Sequence, residues 1–155
     1  MFKKVFIPSD DSDSTSLALF VARIWFGLAM LFNHGFEKLT HYRDIVGTFP
    51  DPIGLGHELT LVLVIAAEVF AALLLVAGVC TRLMAVVLVI DMFVAFLMVH
   101  KAGMSGPDNG ELAFLYLAGY VILAIAGGGL FSFDTILFGR NRPASGGVAA
   151  EEDGR

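Results

Sequence analysis

The chain has 155 residues, 57% hydrophobic and 16% charged, with a net charge of −5, whereas soluble domains carry about 25% charged residues. Together with a mean hydropathy of +0.78, this leaves too few polar groups to cover a water-soluble globule and excludes one. Much of the negative charge sits near the ends, at Asp10, Asp11, Asp13, Glu151, Glu152 and Asp153, so it does not describe an acidic binding face.

Residues 1–16 form a polar N-terminal segment. Met1–Ile7 is short and is followed by the acidic run Pro8–Ser16 instead of a long apolar core, so no cleavable signal peptide is expected. A first span is predicted from Leu17 to Leu39, capped by Ser14, Thr15 or Ser16. The following loop, Thr40–Glu58, contains Pro50, Pro52, Gly54 and Gly56, which break a helix, and also Ile45, Val46, Phe49, Ile53 and Leu55, which avoid water. It is expected either to lie on the outer membrane surface or fold over the bundle mouth, or to be a plain connector.

A second span follows at Leu59–Cys80, with a tight hairpin through Thr81 and Arg82 into a third at Leu83–His100. The fourth, Leu112–Phe131, has no charged residue. Each is near the about 20 residues needed to cross the hydrocarbon. The expected fold is an all-α membrane protein, a four-helix transmembrane bundle in one domain over 17–138, with residues 139–155 as a disordered tail. Lys3, Lys4, Arg82, Arg140 and Arg142 on one side outnumber Lys38, Arg43 and Lys101 on the other, which places both termini in the cytoplasm. One cysteine, Cys80, excludes an internal disulfide and a Cys-x-x-Cys relay. Phosphate loops, zinc-ligand spacing, basic stripes for nucleic acid and internal repeats are all missing from the sequence.

Four ionisable residues interrupt the apolar stretches: Arg23, Glu68, Asp91 and, at the start of the fourth span, Glu111. A charge within a bilayer costs roughly 2.5–3.5 kcal/mol on insertion scales, so such groups are expected to be paired or used. At about 100° per residue, Arg23, Gly27, Met30, His34 and Lys38 share one sector of the first helix, which should face inward. A rise of about 1.5 Å per residue brings Arg23 within pairing range of Glu68 or Asp91. The same rise places His34, His100, Lys101 and Glu111 together at the outer end.

Two polar levels are therefore predicted. The inner ionic layer either fixes how the helices dock or carries protons through Glu68 or Asp91. The outer cluster is a solvated rim, a hydrogen-bonding site for a small ligand such as a quinone headgroup, or, less favoured, a haem site between His34 and His100. Tyr116 and Tyr120 are expected to pack or face lipid. Trp25, too deep for an interfacial belt, is expected between helices.

The ordered set Arg23-x-x-x-Gly27, His34-Gly35-x-x-Lys38, Glu68 with Leu73-Leu74-Leu75, Gly78-x-x-Thr81-Arg82, Val99-His100, Gly110-Glu111-Leu112-Ala113 and Gly129-x-x-Ser132-x-Asp134 resembles the DoxX family of small bacterial membrane proteins. The resemblance spans about Leu17–Phe138. It implies a multi-pass four-helix bundle in the bacterial inner membrane and a role as an oxidoreductase component. Related DoxD-like proteins are associated with thiosulfate:quinone oxidoreductase or terminal quinol oxidase assemblies, and some DoxX-type proteins with complexes handling oxidative and thiol stress. By analogy it carries over Arg23, His34, Lys38, Glu68, His100 and Glu111 as ligand-binding or proton-handling positions, to which the residue pattern adds Asp91.

The leading expectation is a membrane subunit of a quinone-linked redox system, not an autonomous enzyme. Two others stand beside it: a binding or transport module for a small apolar or lipid-like solute, admitted under the Thr40–Glu58 loop, and a scaffold that recruits a redox enzyme. Expected partners are the lipid bilayer, a redox enzyme and further copies of the chain, with no nucleic acid and no metal.

Overall fold

A computed structural model of the protein describes residues 12–106 and 109–138. The N-terminal segment up to Asp11, the tail from residue 139, and with them Lys3, Lys4, Arg140 and Arg142, lie outside the described residues. All regular structure among the described residues is helical. Three helices are long and apolar enough to cross a membrane: α1 Asp13–Thr40, α2 His57–Ala77 and α3 Thr81–Val99. A shorter apolar helix, α4 Glu111–Ala126, follows, and then α5 Phe133–Phe138.

α4 ends sooner than the expected Phe131. Gly127 takes φ +85° and Gly129 φ +68°, a region that side-chain-bearing residues avoid, so the Gly127-Gly128-Gly129 run stops the helix. Its 16 residues span about 24 Å at a rise of 1.5 Å per residue, against a hydrocarbon core of about 30 Å.

The α2–α3 turn falls at Gly78–Cys80 and not at the expected Thr81–Arg82, which already belong to α3, and it is built by a left-handed C-cap. Gly78 adopts φ +76°, and the N–H groups of Gly78 and Val79 both donate to Leu74 O at 2.9 Å, satisfying a carbonyl the helix end would leave open. α3 then starts at Thr81 with its cap supplied from far along the chain. Asp134 accepts Cys80 N–H at Oδ1 (2.6 Å) and Thr81 N–H at Oδ2 (2.8 Å). The segment after α4 therefore tucks beneath the hairpin and closes the floor of the bundle.

Inside, Met30, Leu61, Ala72, Leu75, Ala85, Leu88, Tyr120 and Leu123 are fully buried. Small residues permit the close crossings: a Cβ on Gly119 would lie 2.5 Å from the Phe26 ring, and one on Gly27 2.5 Å from Val76 Cγ2. Tyr116 and Tyr120 stack on each other with centroids 5.9 Å apart and interplanar angle 19°, and Tyr120 donates to Phe26 O. Both tyrosines are buried, so their role is packing and not lipid contact.

The perimeter is apolar all round, with Phe32, Phe70, Phe93, Ile122 and Ile125 exposed, as a chain that uses lipid as solvent requires. Trp25 belongs to this perimeter: it is 74% exposed, contrary to the expectation that it packs between helices. The inward sector of α1 is as expected. Arg23, Gly27 and Met30 are buried and His34 and Lys38 half-buried.

The expected pairing of Arg23 with Glu68 or Asp91 does not form. Arg23 is 1% exposed and turns down to the floor, where Nη2 donates to Phe131 O at 2.8 Å and the guanidinium lies over the Phe20 ring at 5.6 Å. Asp134 is the nearby opposite charge. The long side chain reaches the end of the bundle, where the Phe131 carbonyl accepts Nη2 while Nε and Nη1 have no hydrogen-bond partner, and leaves Glu68 to a different cation.

Candidate functional site

The polar side chains of the upper half converge because three helices widen there. π-helical segments replace the regular α-helix at Leu31–Gly35 in α1, Ala66–Ala71 in α2 and Ala95–Val99 in α3. Each wide turn swells the helix and redirects the side chains beyond it, a distortion that recurs at functional sites. His34 lies in the first of these segments and Glu68 in the second. Gly35 brings the two into contact, since a Cβ there would be 2.6 Å from Glu68 O.

One turn after His34, Lys38 lies over the Glu68 carboxylate. Nζ donates to Oε1 at 2.9 Å and to Oε2 at 2.7 Å. The side chains are 21% and 5% exposed, so the pair is held away from water on the carboxylate side. Asp91, from α3, also faces this region, and its Oδ2 is buried with no hydrogen-bond partner.

These groups border a cavity of about 350 Å³. Its polar lining includes His34, Lys38, Thr60, Glu68, Asp91, His100, Asn109 and Tyr116, and its apolar lining includes Val64, Met92, Val94, Ala95, Val99, Leu112 and Ala113. His34 meets Tyr116 edge to face at 5.6 Å. His100 is placed at the α4 side, where a Cβ on Gly110 would lie 2.8 Å from its own Cβ.

The seven residues singled out from the sequence thus separate. His34, Lys38, Glu68, Asp91 and His100 come together around the cavity, Arg23 belongs to the floor, and Glu111 is exposed at the start of α4, outside the lining. Sequence reasoning missed Tyr116, Thr60 and Asn109 as lining residues and Asp134 as the α3 cap. Asp134 stands within the Gly129-x-x-Ser132-x-Asp134 pattern, but only the fold brings it to Thr81.

The DoxX family model matches residues 18–101, more than half of the chain, from the first turns of α1 to just past α3. The chain belongs to the DoxX family. It is an integral membrane protein of DoxX type, with all five cavity residues named above inside the matched stretch. No curated protein and no solved structure matches this DoxX chain.

The roof of the DoxX cavity is the apolar, helix-breaking loop, which contributes Phe49, Pro50 and Pro52 to the lining. Asp51 organises it. Its carboxylate accepts from Leu55 N (2.9 Å), Gly56 N (2.8 Å) and Thr60 Oγ1 (2.9 Å), so one side chain gathers the turn that Pro52, Gly54 and Gly56 make and ties it to the first turn of α2. His57 Nδ1 hydrogen-bonds Phe49 O and closes the loop onto the start of α2.

The backbone N–H of Gly56, with the other donors, holds the Asp51 carboxyl below its usual range. A lowered folded value means that the loop is tightened when Asp51 is ionised. Its contribution is complete above the ordinary carboxylate range and is lost as pH falls through the lowered value. Hydrogen-exchange protection at the Leu55 and Gly56 amides, taken relative to the intrinsic rate at each pH, is expected to fall in that acid window and to be low at every pH in Asp51→Ala. Unchanged protection in the variant would show that the carboxylate does not hold the roof.

Proposed function

We propose that this DoxX protein is the membrane subunit of a quinone-linked redox system and that its cavity receives the quinone headgroup. The supporting observation is the cavity itself, of about 350 Å³, apolar over most of its wall and edged by the Lys38–Glu68 pair, Asp91, His34 and Tyr116. Apolar walls with a few convergent polar groups are the usual form of a small-ligand site. A quinone presents two carbonyl oxygens as acceptors, and His34, Tyr116 and protonated Asp91 are donors that can meet them. Reduction to the quinol takes up two electrons and two protons. Asp91 and Glu68 supply the proton-bearing groups, and the electrons come from a redox enzyme at the membrane surface, since Cys80 alone offers no dithiol.

In this reading α4 is a fourth crossing, short enough to be matched by local thinning of the bilayer. Both termini lie on the cytoplasmic side of a bacterial inner membrane, and the cavity opens toward the outer face beneath the Phe49–Pro52 roof. That roof also favours a second reading, a binding or transport module for a small apolar solute that is admitted by loop movement, because the loop is part of the lining.

Lipid extracts of the purified protein are expected to contain quinone near one equivalent per cavity. His34→Ala should weaken the affinity for added quinone about tenfold, the effect of losing a ligand contact worth about 1.4 kcal/mol. Glu111→Ala should leave it unchanged. An extract without quinone, together with no binding of added decylubiquinone, would end the redox reading and leave the apolar-solute reading standing.

A further inference from the structure

The charge on the cavity wall does not balance. Two carboxylates, Glu68 and Asp91, face it with a single ammonium, Lys38, and that ammonium is committed to both oxygens of Glu68 at 2.9 and 2.7 Å. Asp91 is left over, with Oδ2 buried and no hydrogen-bond partner. A carboxylate in such surroundings is neutralised by a proton or by a cation that comes to it.

The other groups facing Asp91 add no second lysine or arginine. α1 contributes His34 besides Lys38, α2 contributes Glu68, α4 contributes Tyr116 and Tyr120, and His100 follows Asp91 in the chain. The donor set also argues against an inorganic ion. Among the described residues no three His, Cys, Asp or Glu side chains are grouped to hold a metal, and the walls are chiefly hydrocarbon, which cannot replace the water shell of a small cation. An organic cation loses little hydration there and gains apolar contact with walls that include Phe49, Val64, Met92 and Val99.

We infer that the DoxX cavity is a site for a lipophilic monocation, which exchanges with a proton on Asp91. The exchange is balanced: the cation enters, Asp91 releases one proton, and the cavity keeps the same net charge. It needs no electron donor and goes beyond the quinone reading, which uses Asp91 in its protonated form. Proton-coupled exchange of this kind lets one pH gradient drive the movement of a charged solute, so the same site can serve transport across the membrane.

The probe is tetraphenylphosphonium, titrated calorimetrically into the full-length protein in lipid nanodiscs, in two buffers of different ionisation enthalpy. Close to one proton released per cation is expected in the range where Asp91 is protonated, with affinity falling about tenfold for each pH unit into acid. Asp91→Asn should abolish the release and weaken binding at least tenfold, while Asp91→Glu, which keeps the charge, should retain both. The neutral analogue triphenylphosphine oxide should show no proton release.

Cation binding without proton release, equal binding by Asp91→Asn, or no binding by the native protein would each overturn the inference. Should Asp91→Asn fail to fold, the proton count and pH dependence of the native chain and of Asp91→Glu decide it. Decylubiquinone titrated separately distinguishes the two readings, since cation exchange without quinone binding upholds this one and removes the other.

Discussion

Replacing Lys38 by Met is expected to destabilise the bundle by about 3–5 kcal/mol, the usual result of removing one partner of a buried ion pair. The size of the effect follows from what remains. The Glu68 side chain, 5% exposed, would be left beside Asp91 with no ammonium to answer either, and must bear an uncompensated charge or take up a proton, with both of its hydrogen bonds from Lys38 lost in either case. Lys38→Met/Glu68→Leu, which removes both charges and fills the space with hydrocarbon, is expected to recover most of the loss, because an apolar replacement of a buried pair is often neutral or better. Denaturation by sodium dodecyl sulfate, followed by circular dichroism, compares the three proteins. A single variant within about 1 kcal/mol of the native protein would reduce the pair to the level of an exposed surface contact.

The second large effect is expected in the floor, from Gly78→Ala. Gly78 has φ +76°, and a side-chain-bearing residue held in the left-handed region costs about 1–2 kcal/mol. Its Cβ would also lie 1.8 Å from Arg23 Nη1 and 2.8 Å from Ser132 Cβ, so the guanidinium has to move and its bond to Phe131 O is lost, worth about 1.5–3 kcal/mol for a charged donor. The sum is about 2.5–5 kcal/mol. Gly54→Ala isolates the two contributions: Gly54 has φ +74° with nothing within 4 Å of a Cβ, so it is expected to show the backbone cost alone. Equal losses in the two variants would mean that the Arg23 contact adds nothing to the stability of the floor.

Sequence and structure agree where a local rule governs. The three long apolar spans and the inward sector from Arg23 to Lys38 are properties of neighbouring residues on one helix, and both are found, whereas the turn expected at Thr81–Arg82 falls at Gly78–Cys80. Disagreement arises where a partner lies far along the chain. Depth alone pairs Arg23 with Glu68 or Asp91, and depth ignores azimuth and the reach of a long side chain. The same measure puts Trp25 inside, whereas it is exposed. Glu111, close to His100 in estimated height, is turned away from the cavity by the direction in which α4 begins.

What the sequence by itself determined is that this chain lives in a membrane as helices with a handful of charges on inward faces, because hydropathy and the 3.6-residue period act within a single segment. The tertiary structure alone decided which charges meet. Three π-helical turns rotate the side chains beyond them, Gly35 lets α1 and α2 touch, and the chain after α4 returns to claim Arg23 and cap α3. Pairing depends on rotation about each helix axis and on which carbonyls are left free. Those quantities arise only when helices distant in sequence are packed together, and they are what left Lys38 with Glu68 and Asp91 with none.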